Sequence, residues 1–377
     1  MQHLRIDSHF DGGNIEVLAA DDPADIRLRI KADAKAGFLQ WFNFEVLAPR
    51  GTHLKLIFEN AADISFKGGW KNYRAVASDD GEIWLRTATS FEAKLLTIEH
   101  TTTAELTRFA YFAPYSLDRH HNLVAKLCTD ERVKMLPTGT TPDGRALHVL
   151  AAGKSDAPRH CWIIARQHPG ETMAEWFMEG LTEALLDPAN PVARKLLDRA
   201  RLYLVPNMNP DGSARGHLRA NAVGTNLNRE WNAPDAERSP EVAHVRALME
   251  ESGVDFFLDI HGDEIMPYLF IAGAEGAEAY DDRHRDLAVR FKQLMLEATP
   301  EFQTQYGYPV TPAGKANLGI ATNWVANTFD CLAYTLEMPF KDNLTLPDAV
   351  RGWSPERSKK LGADILGPLL GMLDHLR

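Results

Sequence analysis

Apolar and polar positions alternate with a period of two through the first third of the chain. Ile26-Arg27-Leu28-Arg29-Ile30, the stretch from Gln40 to Val46 and His53-Leu54-Lys55-Leu56-Ile57-Phe58 all follow this pattern. Shorter runs, Ile83–Arg86 and Leu95–Ile98, come after turn residues. Such alternation places one face of each segment in a core and the other in water, as in half-buried β-strands. Strands at this spacing predict an all-β sandwich over residues 1–113. Trp41, Trp70 and Trp84 fall within it and are expected to be core or interface aromatics, and nothing here carries a catalytic pattern.

From Pro114 the texture changes. Continuous apolar runs, Cys161–Ala165, Tyr203–Val205, Phe256–Ile260 and Leu332–Leu336, read as strands buried on both faces, and helical patterns separate them. Ser239-Pro240-Glu241 is a helix start, with a cap residue, then proline in the first turn, then acid. Val242, Val245, Leu248 and Met249 form the apolar stripe of that helix and Gly253 ends it. A last helix starts at Ser354-Pro355-Glu356, with a kink expected near Pro368. Residues 114–377 are thus expected to form an α/β domain with a mixed central sheet flanked by helices.

Composition narrows the class. A chain of 377 residues with 45% apolar content suits two domains. Met1 to Asn14 is polar and mixed in charge with no apolar signal core, and no stretch approaches a membrane span. Three cysteines are too few for a disulfide framework, and Cys161 and Cys331 sit beside strand cores as packed thiols. These features predict a soluble, cytoplasmic enzyme with no membrane partner. The net charge of −11 argues against nucleic acid as partner.

The chemistry lies at the carboxyl ends of the apolar runs. His168-Pro169-Gly170-Glu171 follows the first and His261 follows another, so two nitrogens and a carboxylate can meet at one metal. Three protein ligands and an open fourth position are what a catalytic zinc needs. Leu332–Leu336 delivers Glu337 to the same edge, where a carboxylate can take a proton from water and pass it to a leaving nitrogen. Glu175 and Glu179 share a helical stripe with Glu171 and are expected to be solvated or packing residues. Asn207–Gly212 is a turn-rich exit from a strand, leading to Arg219 and then to Asn228-Arg229. A guanidinium beside an amide can clamp a carboxylate through paired hydrogen bonds, and a second arginine can stabilise an oxyanion.

Together, His168-x-x-Glu171, Asn209-Pro210-Asp211-Gly212, Arg219, Leu227-Asn228-Arg229, His261 and Thr335-Leu336-Glu337 resemble the zinc carboxypeptidases of the carboxypeptidase A type. The chain is more similar to the cytosolic carboxypeptidase subfamily, especially its bacterial members, which carry a β-rich domain in front and a Pro-Tyr step like Pro114-Tyr115. The match runs from about Pro114 to Phe340. The resemblance implies one zinc per chain on His168, Glu171 and His261, Glu337 as general base and acid, and Arg219 as oxyanion stabiliser. It implies that Asn228 and Arg229 hold the terminal carboxylate of a peptide or protein substrate. Tyr308, with Tyr306 as the other candidate, would cap the substrate. Asn226 stands where the subfamily often has Asp. Lys315 is the only cation near Ala316–Leu336, the stretch that lines the side-chain pocket, and would carry any preference for C-terminal glutamate.

Two other readings fit part of the pattern. A zinc amidohydrolase that deacylates N-acyl amino acids shares the scaffold, but the front domain and Arg219 favour the peptidase. A binding module with an inactive site is disfavoured by the intact ligand and base set.

Overall fold

A computed structural model describes residues 4–376; residues 1–3 and 377, the outer limits of the two expected domains, lie outside the described residues. The front part holds two five-stranded sheets. One runs Arg5–Asp7, Asn43–Leu47, Leu106–Ala110, Val76–Ser78, Leu85–Arg86; the other runs Glu16–Ala19, Ile26–Arg29, His53–Phe58, Leu95–Thr101, Ala88–Glu92. Their inner faces meet through aromatic rings, with Phe58 centred 4.8 Å from Phe42 and 6.1 Å from Phe44. Trp41, Trp70 and Trp84 are buried in this core.

Two expected strands are shorter than the alternation suggested. The ladder that was expected from Gln40 begins at Asn43, and the Gln40 side-chain amide ties the preceding segment down by donating to the Tyr111 hydroxyl and accepting from Phe66 N–H. Ile83–Arg86 shrinks to Leu85–Arg86, because Asp80 Oδ1 accepts the N–H groups of Glu82 and Ile83 and bends the chain there.

The second part is built on a mixed seven-stranded sheet. Its spatial order is Val133–Met135, Leu150–Ala152, Ala200–Val205, Arg159–Ala165, Phe256–Asp263, Leu332–Pro339, Phe270–Gly273. The four strands from Ala200–Val205 to Leu332–Pro339 are parallel and the flanking ones antiparallel. After Arg159–Ala165 the chain pairs to one side and later returns to pair on the other, so a crevice opens at the carboxyl ends of Arg159–Ala165 and Phe256–Asp263. The helix Pro240–Ser252 starts and stops where Ser239 and Gly253 predict. Cys161 and Cys331 are buried.

Two expectations take a more definite form. The C-terminal helix is two helices, Pro355–Asp364 and Leu366–Met372, and the break falls at Ile365. Pro368 lacks the N–H that would bond the Asp364 carbonyl, so the ladder fails ahead of the proline. Glu175 and Glu179, on the helix Met173–Leu186, are buried, so of the two expected alternatives they are the packing kind. Glu179 is taken by Arg119, Tyr115 and Lys359, and Glu175 by His120, Arg166 and Asn207. Buried carboxylates persist when paired and hydrogen-bonded in this way.

The two parts share one core. Tyr111 stacks on Phe340, just beyond the strand that carries Glu337, with centroids 4.7 Å apart. Asp33, from the front part, is buried against the loop Leu218-Arg219-Ala220.

Candidate active site

The crevice at the switch in strand order collects the candidate residues. Arg166 ends the first strand in a left-handed conformation, φ 58°, and turns the chain toward His168. Its buried guanidinium holds the turn, with Nε donating to the Pro169 carbonyl at 2.9 Å and Nη1 to Glu175 at 2.6 Å. Gly170 donates its N–H to the Leu218 carbonyl at 2.9 Å, and a Cβ at this position would stand 2.9 Å from that oxygen, so only glycine allows the approach. His261 and Glu337 lie inside their strands, which run to Asp263 and Pro339, and are register partners across the parallel ladder.

Three donors converge. His168 Nδ1 and His261 Nδ1 are 3.2 Å apart, and the Glu171 carboxylate reaches the first at 2.7 Å and the second at 2.7 Å. Among the described residues this is the one group of three or more metal-ligating side chains with donor atoms within 4.8 Å of one another. The distal nitrogens are occupied: His261 Nε2 lies 2.9 Å from Asp259 Oδ2, and His168 Nε2 lies 3.1 Å from Asn226 Oδ1. With Nε2–H donating outward, both Nδ1 lone pairs face inward, the arrangement that orients histidine ligands at metal sites. Asp259 is itself held by Gln167 Nε2 at 2.6 Å, and Gln167 accepts from the Trp231 indole at 2.9 Å.

The electrostatics suit a cation. Burial opposes charge on His261, yet Asp259 and Glu171 outweigh it and hold its pKa well above the ordinary imidazole value, so positive charge is favoured at Nδ1 and a metal cation would displace a proton there. Burial, and then Arg219, push His168 down to about 3, so its lone pair is free. A borderline-soft divalent ion bound by two imidazoles and a carboxylate fits this donor set.

Glu337 is buried, and its Oε2 has no hydrogen-bond partner. Burial raises its pKa well above the usual carboxylate value, and Glu171, Asp263 and Glu264 add to the rise against the pull of His261. The Tyr308 hydroxyl lies 3.1 Å from Glu337 Oε1 and 2.6 Å from Asp263 Oδ2, so Tyr308 does reach the site. Tyr306 also lines the cavity but stacks on Tyr268, with no hydrogen bond to Glu337.

Arg219, Asn228 and Arg229 line the same cavity of about 640 Å³. Arg219 lies 3.8 Å from Glu171 and over the Phe66 ring. Asn228 Oδ1 accepts the Ala321 N–H at 2.9 Å, which fixes the amide. Arg229 forms no ion pair with a carboxylate among the described residues, and burial and Arg219 lower its pKa. Lys315 is exposed and is not among the residues lining this cavity. The loop at Gly314 carries it outward. The lysine in the lining is Lys292, from the helix Asp282–Ala298, with Glu275 at 3.8 Å.

Sequence reasoning passed over Asp259, Glu264 and Asp33. Asp259 had a signal, being a lone carboxylate in an apolar run two residues before His261 and so on its face. Glu264, buried in the cavity lining, and Asp33 had none.

Comparison with known proteins agrees with the geometry. A model of the cytosolic carboxypeptidase N-terminal domain matches residues 6–112, and a model of zinc carboxypeptidases matches residues 122–351. The metallo-carboxypeptidase from Pseudomonas aeruginosa, solved in complex with (2-guanidinoethylmercapto)succinic acid, is 46% identical, with a TM-score of 0.97 over 99% of this chain and 100% of that one. The metallo-carboxypeptidase from Burkholderia cenocepacia is 45% identical, with a TM-score of 0.95 over 98% and 99%. Cytosolic carboxypeptidase 1 of Danio rerio is 26% identical over 361 residues, 80% of this chain but 31% of the relative, so the chain spans about a third of that protein's length.

Proposed function

Because the chain belongs to the zinc carboxypeptidase family and is therefore a hydrolase, we propose that it removes single residues from the free C-terminus of peptides or proteins. His168, Glu171 and His261 are the zinc ligands in this reading, and the observation that carries it is their convergence in one cavity with the unpartnered Oε2 of Glu337. A bound zinc supplies Lewis acidity, acidifying a water and polarising a carbonyl.

The remaining steps fall to the protein. Glu337 takes the proton of the attacking water at Oε2 and delivers it to the departing nitrogen. Its burial among other carboxylates supports this, because a carboxyl with raised proton affinity can hold the proton between the two transfers. Arg219 donates to the carbonyl oxygen as that atom gains charge, at a point where fixed donors act in a dry environment. Arg229 and the Asn228 amide bind the terminal carboxylate, which restricts cleavage to the last peptide bond. Tyr308, beside Glu337, closes over the bound residue.

The side chain of the terminal residue extends toward Thr322, Thr335, Glu275 and Lys292. Glutamate there would be answered by Lys292 and not by Lys315, while Glu275 would answer a basic side chain. The ligand named with the Pseudomonas aeruginosa relative joins a succinic acid to a guanidino group, which supports a pocket of mixed charge. Amino-acid release from N-blocked dipeptides ending in Glu, Leu or Lys, measured with Lys292→Ala alongside, tests the reading. No release from any of them would overturn it.

A further inference from the structure

A second convergence of imidazoles lies outside the cavity. His120 and His121 are on the helix Leu117–Leu127, and His148 precedes the strand Leu150–Ala152. His120 Nε2 and His148 Nδ1 are 3.0 Å apart, close to the 3.2 Å between the ring nitrogens of His168 and His261. The other nitrogen of His120 is held by Glu175 Oε1 at 2.5 Å, as the distal nitrogen of His261 is held by Asp259. A buried carboxylate behind an imidazole fixes its tautomer and strengthens it as a ligand. His121 is exposed, with its ring centred 5.5 Å from that of His120 and 6.2 Å from that of His148.

We propose that His120, His121 and His148 form a second metal site, taking a divalent transition ion of the zinc type through three imidazoles, with solvent in the remaining position. Imidazole is a favoured ligand of Zn²⁺, Cu²⁺ and Ni²⁺, and hard cations such as Mg²⁺ are excluded by the lack of oxygen donors. His120 is fixed and buried and His148 is half-buried, so two nitrogens already meet; the exposed His121 has to turn its ring inward from its present position to supply the third. Glu175 Oε2 also receives Arg166 Nη1 at 2.6 Å, and Arg166 holds the Pro169 carbonyl. The second ion would therefore sit behind the same carboxylate that braces the turn bearing His168.

Zinc itself is the probe. Untagged protein with its catalytic site filled is titrated with Zn²⁺ by calorimetry, and bound metal is counted by atomic emission after dialysis. The wild type should take up a second equivalent. His148→Ala should abolish it and His121→Ala should weaken it at least tenfold, with the first equivalent and peptide turnover unchanged in both. A wild type that takes no second equivalent, or a second equivalent that either variant leaves unchanged, overturns the proposal. The first equivalent is counted separately, so failure here is distinguishable from failure of the catalytic assignment.

Discussion

Asp33 precedes Arg219 by 186 residues, yet its carboxylate accepts the Arg219 backbone N–H at 2.7 Å. It also accepts the N–H groups of Leu218 at 2.6 Å and Ala220 at 2.8 Å. The front part of the chain thus anchors the loop that presents the proposed oxyanion donor. Asp33→Ala removes all three acceptor bonds and should lower kcat by up to about a hundredfold, the scale of loss when a positioned group moves by about 1 Å. Zinc content should not change. Wild-type kcat in the variant would show that the loop holds Arg219 unaided.

Zinc should be retained at one equivalent in the catalytic site and lost on chelation, together with turnover. His168→Ala or His261→Ala should lose most of it, since two ligands do not close the site. Asn226→Ala leaves the ligands but frees His168 Nε2, and should weaken zinc by about tenfold to a hundredfold. Competition against a chromophoric chelator measures all three, and unchanged affinity in the histidine variants would remove them from the ligand set.

Glu337→Gln keeps size and shape but cannot accept a proton. Turnover should fall by about two to four orders of magnitude with zinc in place. Single-turnover kinetics on zinc-loaded variant decides this, and a variant with most of its activity would leave Glu337 a structural carboxyl.

A free terminal carboxylate should be required. Amidating a cleaved peptide should abolish hydrolysis, and Arg229→Lys should raise KM, because an ammonium is a point charge and cannot reproduce the guanidinium fork. Equal cleavage of amidated and free peptides would make the enzyme an endopeptidase.

Stability should depend on pH through Glu241. Burial in the first turn of the helix Pro240–Ser252 raises its pKa from 4.5 to about 7, against the weaker opposing bond from the Asn221 amide. The folded state therefore prefers the protonated form. Its contribution is fully present below about pH 4.5 and is lost as pH rises through about 7. Denaturant unfolding across that window should show a fall with a slope approaching about 1.4 kcal/mol per pH unit from this group. Glu241→Gln should remove that part of the slope, and an unchanged profile would assign the pH dependence elsewhere.

Much of this was legible in the sequence for a definite reason. The parallel strands are buried on both faces, so they stand out as apolar runs, and the residues that follow or interrupt them point into the crevice. His168, His261 and Glu337 could be read from that position alone. Glu175 and Glu179 could not, because an acidic stripe on a helix is ordinarily solvated and their partners come from distant segments, Arg119, His120 and Lys359 among them. Lys292 escaped notice for a similar reason. Nearness in sequence to the pocket-forming stretch favoured Lys315, while packing of a separate helix brought Lys292 to the cavity. Asp33 was beyond reach, since its purpose is defined only by a loop in the other half of the chain.

The register that pairs His261 with Glu337 makes misalignment of these two residues an all-or-none event. Side chains on a strand alternate between faces, so a slip of one position would set Leu336 or Met338 opposite His261 and turn Glu337 to the other face of the sheet. Between that outcome and the native one there is no graded intermediate, because strand spacing of about 4.8 Å is set by backbone hydrogen bonds and not by the residues themselves. Variation can accumulate in the surrounding loops and in the helix bearing Lys292 without shifting the distance between His261 and Glu337. Selection for new substrates can therefore act on the pocket while the reaction stays indexed to the backbone.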